Sequence, residues 1–204
     1  MKLLVRVAGP IALGLAVGGC SLGGLLGGGG KQPTTLQTLT PEAPDPGAIS
    51  RTASAGQAVT IASPVLPKEL RTTRVPVQIT PTDIQYVTNL QWVDTPDRLF
   101  QALIAETARR TTNRVVLDTR LTALDPGLLV TGELQRFGYD ASSGQVVVIY
   151  DAMMSTAGGS RVDTRRFTAT VPADGSGPSV GPALNRAANQ VASEVASWIG
   201  NSGS

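Results

Sequence analysis

Histidine is absent from the 204 residues, and cysteine occurs once, as Cys20. Without histidine there is no Ser-His-Asp triad and no Cys-His pair, and most zinc sites are ruled out. A single thiol excludes an intrachain disulfide. Long apolar runs are missing near the N-terminus too. Residues 7–17 form a run broken by Gly9, Pro10 and Gly14, about half of the ~20 residues that a spanning helix needs. Neither sign of charge prevails: of 17 basic and 15 acidic residues, Lys2 and Arg6 alone account for the excess. The rest is neutral without basic clusters, so nucleic acid is not expected as a partner. A phosphate loop is lacking as well. Gly27 to Gly30 precede Lys31, but no strand leads into them and no apolar helix follows, so they read as spacer. Carboxylates such as Asp94 and Asp97 remain as acid–base candidates. Asp97, however, falls in the first turn of an expected helix, where an acidic side chain complements the dipole. Nothing here argues for an enzyme, and no metal or diffusible cofactor is expected.

What the N-terminus does contain is ordered. Lys2 and Arg6 form a positive region, the apolar run follows, and Val17-Gly18-Gly19-Cys20 closes it. These are the parts of a secretory signal, ending on two residues with no side chain to block a peptidase cleft and then on a thiol. The plainer alternative is an ordinary signal peptide with an incidental cysteine. The combination instead predicts cleavage between Gly19 and Cys20, with a diacylglycerol and an N-acyl chain carried by Cys20. One acyl chain holds only marginally, at about 0.8 kcal/mol per buried methylene, so several chains make a lasting anchor. Ser21 follows where an aspartate would argue for inner-membrane retention, which favours the outer membrane, facing the periplasm.

Four segments are expected: signal peptide 1–19, lipidated Gly/Pro-rich tether 20–56, folded domain 57–200 and a disordered tail 201–204. The tether is poor in large apolar residues and cannot offset its ordering entropy. Its roughly 30 residues span about 30 Å as a flexible chain. Within it, Leu36, Leu39 and the Thr-Pro after them are candidates for a short docked edge strand.

Short strands are expected at 58–62, 74–80 and 82–87, bordered by prolines. Val75, Val77 and Ile79 share one strand face, and Ile84 with Tyr86 another. A helix follows, with Thr95 as N-cap, Pro96 at the first helical position and an apolar stripe through Leu99, Phe100, Leu103 and Ile104. Arg109, Arg110 and Arg114 fall at its C-terminal end, where the dipole favours cations; a partner-binding patch is the alternative. Runs 115–117, 128–139, 146–154 and 161–171, joined by glycine-bearing turns, predict an antiparallel meander. Run 146–154 is apolar on much of both faces, which makes it the candidate central strand. Val180, Leu184, Ala187, Val191, Val195 and Trp198 recur at helical spacing, in a C-terminal helix with Pro182 near its beginning and Gly200 after its end. The fold class is therefore α+β: a mostly antiparallel sheet with two helices packed on one side, in a single domain. Trp92 and Trp198 are expected in or beside the core, with a partner anchor as the other reading. Arg161, Arg165 and Arg166 are candidate partner contacts, or else solvated charges.

Taken in order, these residues resemble the ABC-type transport auxiliary lipoprotein family, which accompanies transporters with mammalian-cell-entry (MCE) domains. Leu36-Gln37-Thr38-Leu39 looks like the family's Leu-Tyr-x-Leu segment, with Gln37 where an aromatic residue is usual. Leu70-Arg71-Thr72-Thr73-Arg74-Val75 is similar to a Leu-Asp-Thr-x-Arg-Ile stretch, with Arg71 in the acidic place. Tyr86, Leu90-Gln91-Trp92, Leu99 and Leu103 follow a Tyr…Trp…Leu pattern, Phe137 matches an aromatic strand end, and the alanine-rich last helix fits. The resemblance implies a non-catalytic outer-membrane lipoprotein on the periplasmic side. Its partners would be an MCE-domain protein with permease and ATPase subunits, and outer-membrane lipid; together they would move phospholipid or other apolar molecules. Some relatives form rings, which adds a homo-oligomer to the implied partners. A lipoprotein that assists assembly or stability of an envelope complex is the rival reading, and a carboxylate-only periplasmic enzyme a third.

Overall fold

The computed structural model describes residues 35–54, 56–117, 127–156 and 161–202. Its elements are β1 (Val59–Ile61), a 3-10 turn (Lys68–Leu70), β2 (Arg74–Gln78), β3 (Ile84–Gln91), α1 (Pro96–Thr111), β4 (Val116–Leu117), β5 (Leu128–Asp140), β6 (Gln145–Ser155), β7 (Val162–Pro172) and α2 (Gly177–Asn201). Two helices thus accompany one seven-stranded sheet, the expected α+β class.

The long strands form the antiparallel meander. β5 pairs β6 with a register shift between Leu134 and Arg136, and β6 pairs β7 without interruption from Gln145↔Pro172 to Ser155↔Val162. The short strands behave differently from expectation. β1 runs parallel to both β4 and β5, and β2 runs parallel to the far end of β5 at Val77↔Tyr139. Between them, Val65 pairs Glu133 in the same sense. One interrupted stretch, residues 59–78, therefore lines a single edge of β5, and α1 lies on the crossover that returns the chain. β5 rather than β6 is the hub. β6 is interior, yet only its face of Val146, Val148, Tyr150, Ala152 and Met154 is fully buried; on the other face Met153 is 41% exposed. The cause is the single helical layer, which leaves the outer face of the sheet open.

β3 also departs from its expected pattern. Its buried residues are Val87 and Leu90, not Ile84 and Tyr86. Asn89, at φ 57, inserts a left-handed residue that switches the faces, a conformation asparagine tolerates. Ile79 falls past the end of β2, in the turn, and is partly exposed.

Thr95 precedes α1 as foreseen, but its side chain makes no cap bond. The Arg98 and Leu99 N–H groups bond its carbonyl instead, at 3.1 and 3.2 Å. α2 begins at Gly177, so that Pro182, expected near its beginning, lies inside it. Proline inside a helix forfeits one backbone bond; here burial of Val180, Ala183 and Leu184 on the flanking turns offsets that cost. α2 also passes Gly200, because Arg114 caps it: Nε donates to the Ile199 carbonyl at 3.0 Å and Nη2 to that of Ser202.

The core lies between the helices and the inner sheet face. Trp92 stacks obliquely on Phe137 at 5.6 Å, and Phe100 meets Phe137 at 6.3 Å and the Tyr150 ring edge-on at 5.3 Å. A second cluster, Phe167 with Trp198 at 5.6 Å, closes the β7 side. Both tryptophans are buried, as expected.

The segment expected as tether is held against the folded domain from Gln37 to Ala43 and again at Arg51, with residues 44–50 exposed between them. Gln37 pairs Trp92 in parallel through Gln37 N–H to Gln91 O (2.8 Å) and Val93 N–H to Gln37 O (2.9 Å), and Leu39 packs on the core. Farther on, Asn185 and Asn189 read the strap's backbone. Asn185 accepts the Thr40 N–H at 2.8 Å, while Asn189 accepts the Glu42 N–H at 2.8 Å and donates to the Thr40 carbonyl at 2.9 Å. Arg110 donates to the Ala43 carbonyl, and Arg51 to that of Arg109 at 2.6 Å.

Candidate interaction surface

Cys20 and Gly19, the expected lipidation and cleavage residues, lie outside the described residues, as do Gly27 to Gly30. The remaining candidates can be placed. Asp94 accepts the Thr95 N–H at 2.7 Å and faces Arg98 at 3.7 Å, so it belongs to the start of α1. Asp97 occupies the first turn. Among the described residues no three acidic or thiol side chains converge as metal ligands would.

β7 is the sheet's longest open edge. Thr156 N–H bonds the Arg161 carbonyl and Ala173 N–H bonds the Gly144 carbonyl, both at 3.1 Å. With the unbroken register between them, these two bonds fix the phase of the ladder. Odd-numbered residues of β7 turn their backbone groups to β6. Val162, Thr164, Arg166, Thr168 and Thr170 turn theirs outward, and no other strand pairs with β7 among the described residues. An open row of this kind is a template for another strand.

The three arginines do not form one patch. Arg166 stands on the outer face opposite Asp151 and binds it through two bonds of 2.6 Å. The guanidinium's hydrogen bonds hold the Asp151 carboxyl below its usual range and raise the Arg166 pKa. Arg165 points to the inner face, its guanidinium 5.5 Å from the Phe167 ring centre. Arg161 lies just before the strand, and its backbone N–H donates to Thr156 Oγ1. Alternation along a strand puts neighbours on opposite faces, so Arg165 and Arg166 were bound to separate.

The helix-end arginines are structural. Arg109 and Arg110 bond Glu106, at 3.3 and 2.8 Å; the Arg110 hydrogen bond leads in lowering the Glu106 pKa. At the β5–β6 turn, Ser142, Arg136 and the Ser143 N–H hold Asp140 down to about 2, with the Ser142 hydroxyl the largest cause.

On the outer face beside the strap lies a surface that the linear pattern did not reveal. Leu36 and Val93 are 53% and 52% exposed, and Ile84 is 41% exposed on the same strand edge. Between them Tyr86 is half-buried, with the Arg74 guanidinium 4.1 Å above its ring and its hydroxyl donating to the Glu69 carbonyl. A period-2 reading of β3 that allowed for a break at Asn89 would have grouped Tyr86 with Val93.

Residues 38–196 match the model of a family described as "ABC-type transport auxiliary lipoprotein component". No curated protein matches the chain. Among solved structures, a Xanthomonas campestris protein classed as DUF330 shares 18% identity at a TM-score of 0.64, covering 83% of this chain and 93% of its own. An uncharacterized protein shares 12% identity at a TM-score of 0.58, over 76% of this chain and 97% of its own. PelC from Paraburkholderia phytofirmans, solved as a dodecamer, shares 17% identity at a TM-score of 0.42, over 71% of this chain and 92% of its own. At these identities, the first two likenesses concern the fold alone.

Proposed function

The chain belongs to the family of ABC-type transport auxiliary lipoprotein components, and from that premise we propose that it is the non-catalytic docking component of an MCE-type transport system. Membership implies a membrane-anchored place in the cell envelope and association with an ABC transporter. The finer reading is as follows. Cys20 carries the acyl chains in the outer membrane, the domain faces the periplasm, and an inner-membrane MCE-domain protein with its permease and ATPase is the partner. Phospholipid or another apolar molecule is the cargo, and this chain hydrolyses nothing.

The free edge of β7 carries the docking part of this reading. A partner strand added there exchanges water for backbone hydrogen bonds, each worth about 0.5–1.5 kcal/mol net, and side chains on alternate residues supply specificity. The Arg166–Asp151 pair ties β7 to β6 on the outer face of that edge. Deleting the gene should slow lipid movement between the membranes and make the envelope leakier to detergent. Cys20→Ser should abolish labelling by a fatty acid and reproduce the deletion. Unaltered lipid movement together with failure of any MCE-domain protein to co-purify would favour the rival role, in assembly or stability of an envelope complex.

A further inference from the structure

The strap enters the folded domain at one edge of the sheet. Thr35, the first described residue, sits at the β3 edge of the sheet, because Gln37 is paired with Trp92 there. Only residues 21–34 separate it from Cys20. A flexible chain of that length typically spans roughly 20 Å, comparable to the distance across the sheet from this edge.

The surface at this point has the chemistry of a membrane interface. Gln37 and Leu39 turn inward, so Leu36 and Thr38 turn outward, on the side of Gln91 and Val93. Leu36 and Val93 are thus exposed diagonal neighbours on adjoining strands. Exposed Ile84 and the Tyr86 ring extend the stripe along β3. Exposed aliphatic groups thus share one face with a half-buried tyrosine ring, a composition suited to the boundary between acyl chains and headgroups. Exposed Arg74 covers that ring, and Arg71 and Lys68 are exposed on the turn before it. Glu69 stands among them, and Asp94, next to Val93, is paired with Arg98. With Asp83 beside Ile84 also exposed, Lys68, Arg71 and Arg74 outnumber the carboxylates of Glu69 and Asp83 by one, a balance that complements anionic headgroups.

We infer that the β3 edge of the outer sheet face, with Leu36, Ile84, Tyr86, Val93 and Arg74, lies against the lipid surface that holds the acyl chains. This rests on the lipid-anchor reading of Cys20. Across the sheet the strands run β3, β2, β5, β6, β7. Four interstrand spacings of about 4.8 Å each put β7 some 19 Å farther out. The open edge is then turned away from the membrane, toward a partner in the periplasm.

The test uses the acylated full-length mature protein in vesicles of phosphatidylethanolamine and phosphatidylglycerol. Because the sole native thiol is acylated, Leu36→Cys, Val93→Cys and Val162→Cys each accept one environment-sensitive fluorophore. All three positions are exposed, and melting curves verify folding. In vesicles, the labels at 36 and 93 should shift to the blue and become several-fold less accessible to iodide than the label at 162. Arg74→Glu should reduce that shielding without altering the melting curve. Flotation with the vesicles and the mass of the acylated N-terminal peptide report the anchor separately. A chain that floats while positions 36 and 93 stay as accessible as 162 overturns the orientation and leaves the anchor intact. Equal shielding of position 162 overturns it as well. A chain without acyl groups overturns the anchor reading and this inference together.

Discussion

Asn189→Ala is the sharpest probe of how the N-terminal strap is held. Asn189 is 7% exposed and uses its whole amide: it accepts the Glu42 N–H at 2.8 Å and donates to the carbonyls of Thr40 and Asn185, each at 2.9 Å. The substitution removes both strap bonds and leaves a backbone donor and acceptor facing the helix. Each bond contributes about 0.5–1.5 kcal/mol net, and the part-exposed strap lets water replace some of what is lost, so the cost should total about 1–3 kcal/mol. For a domain of this size that lowers Tm by roughly 3–10 °C. Asn185→Ala should cost less, because Asn185 is more exposed and makes one bond to the strap backbone. Chemical denaturation gives the free energies, and amide exchange at Thr40 and Glu42 locates the effect. If Asn189→Ala changed stability by less than about 0.5 kcal/mol and left exchange at Glu42 unaltered, the clamp would be incidental and the strap held by other contacts.

Trp92→Ala should cost about 3–5 kcal/mol by calorimetry. Trp92→Phe should cost much less, since its ring nitrogen has no hydrogen-bond partner among the described residues; similar losses for both would contradict the packing account. Gly132→Ala should separate β5 from β6, because a Cβ there would lie 2.3 Å from the Asp151 carbonyl oxygen and 2.7 Å from the Tyr150 ring; a soluble, normally melting variant would refute that. Asp140 is held down to about 2 in the fold, below the ordinary aspartate value near 3.9. Its contribution is therefore present above about pH 4 and lost as pH falls toward 2. Asp140→Asn should cost about 1 kcal/mol at pH 7 and progressively less as pH falls through 2, and an equal cost at both would rule out the carboxylate as the source.

Much of this fold is written locally. Thr95-Pro96-Asp97 marks the start of α1, and the turn at Ser142-Ser143-Gly144 joins two long alternating strands, so the meander follows from chain order. Pairing between distant short strands leaves no such trace. Nothing in the composition of residues 59–61 or 74–78 says that both run parallel along β5. Asn185 and Asn189 look like ordinary polar residues on an alanine-rich helix, and only the folded strap shows what they bind. Arg114 follows α1 in sequence yet caps α2, because the helix ends meet in space. The arginine cluster at 161–166 is the opposite case: period-2 alternation alone separates Arg165 from Arg166, and counting charges obscured it.

The docking claim is tested most directly by a photo-crosslinking residue at Thr168, whose backbone faces the open edge of β7, in intact cells carrying the acylated protein. The account predicts capture of an MCE-domain protein of the inner membrane from this position, and none from the same residue placed at Val93. Capture from Val93 with none from Thr168 would contradict it.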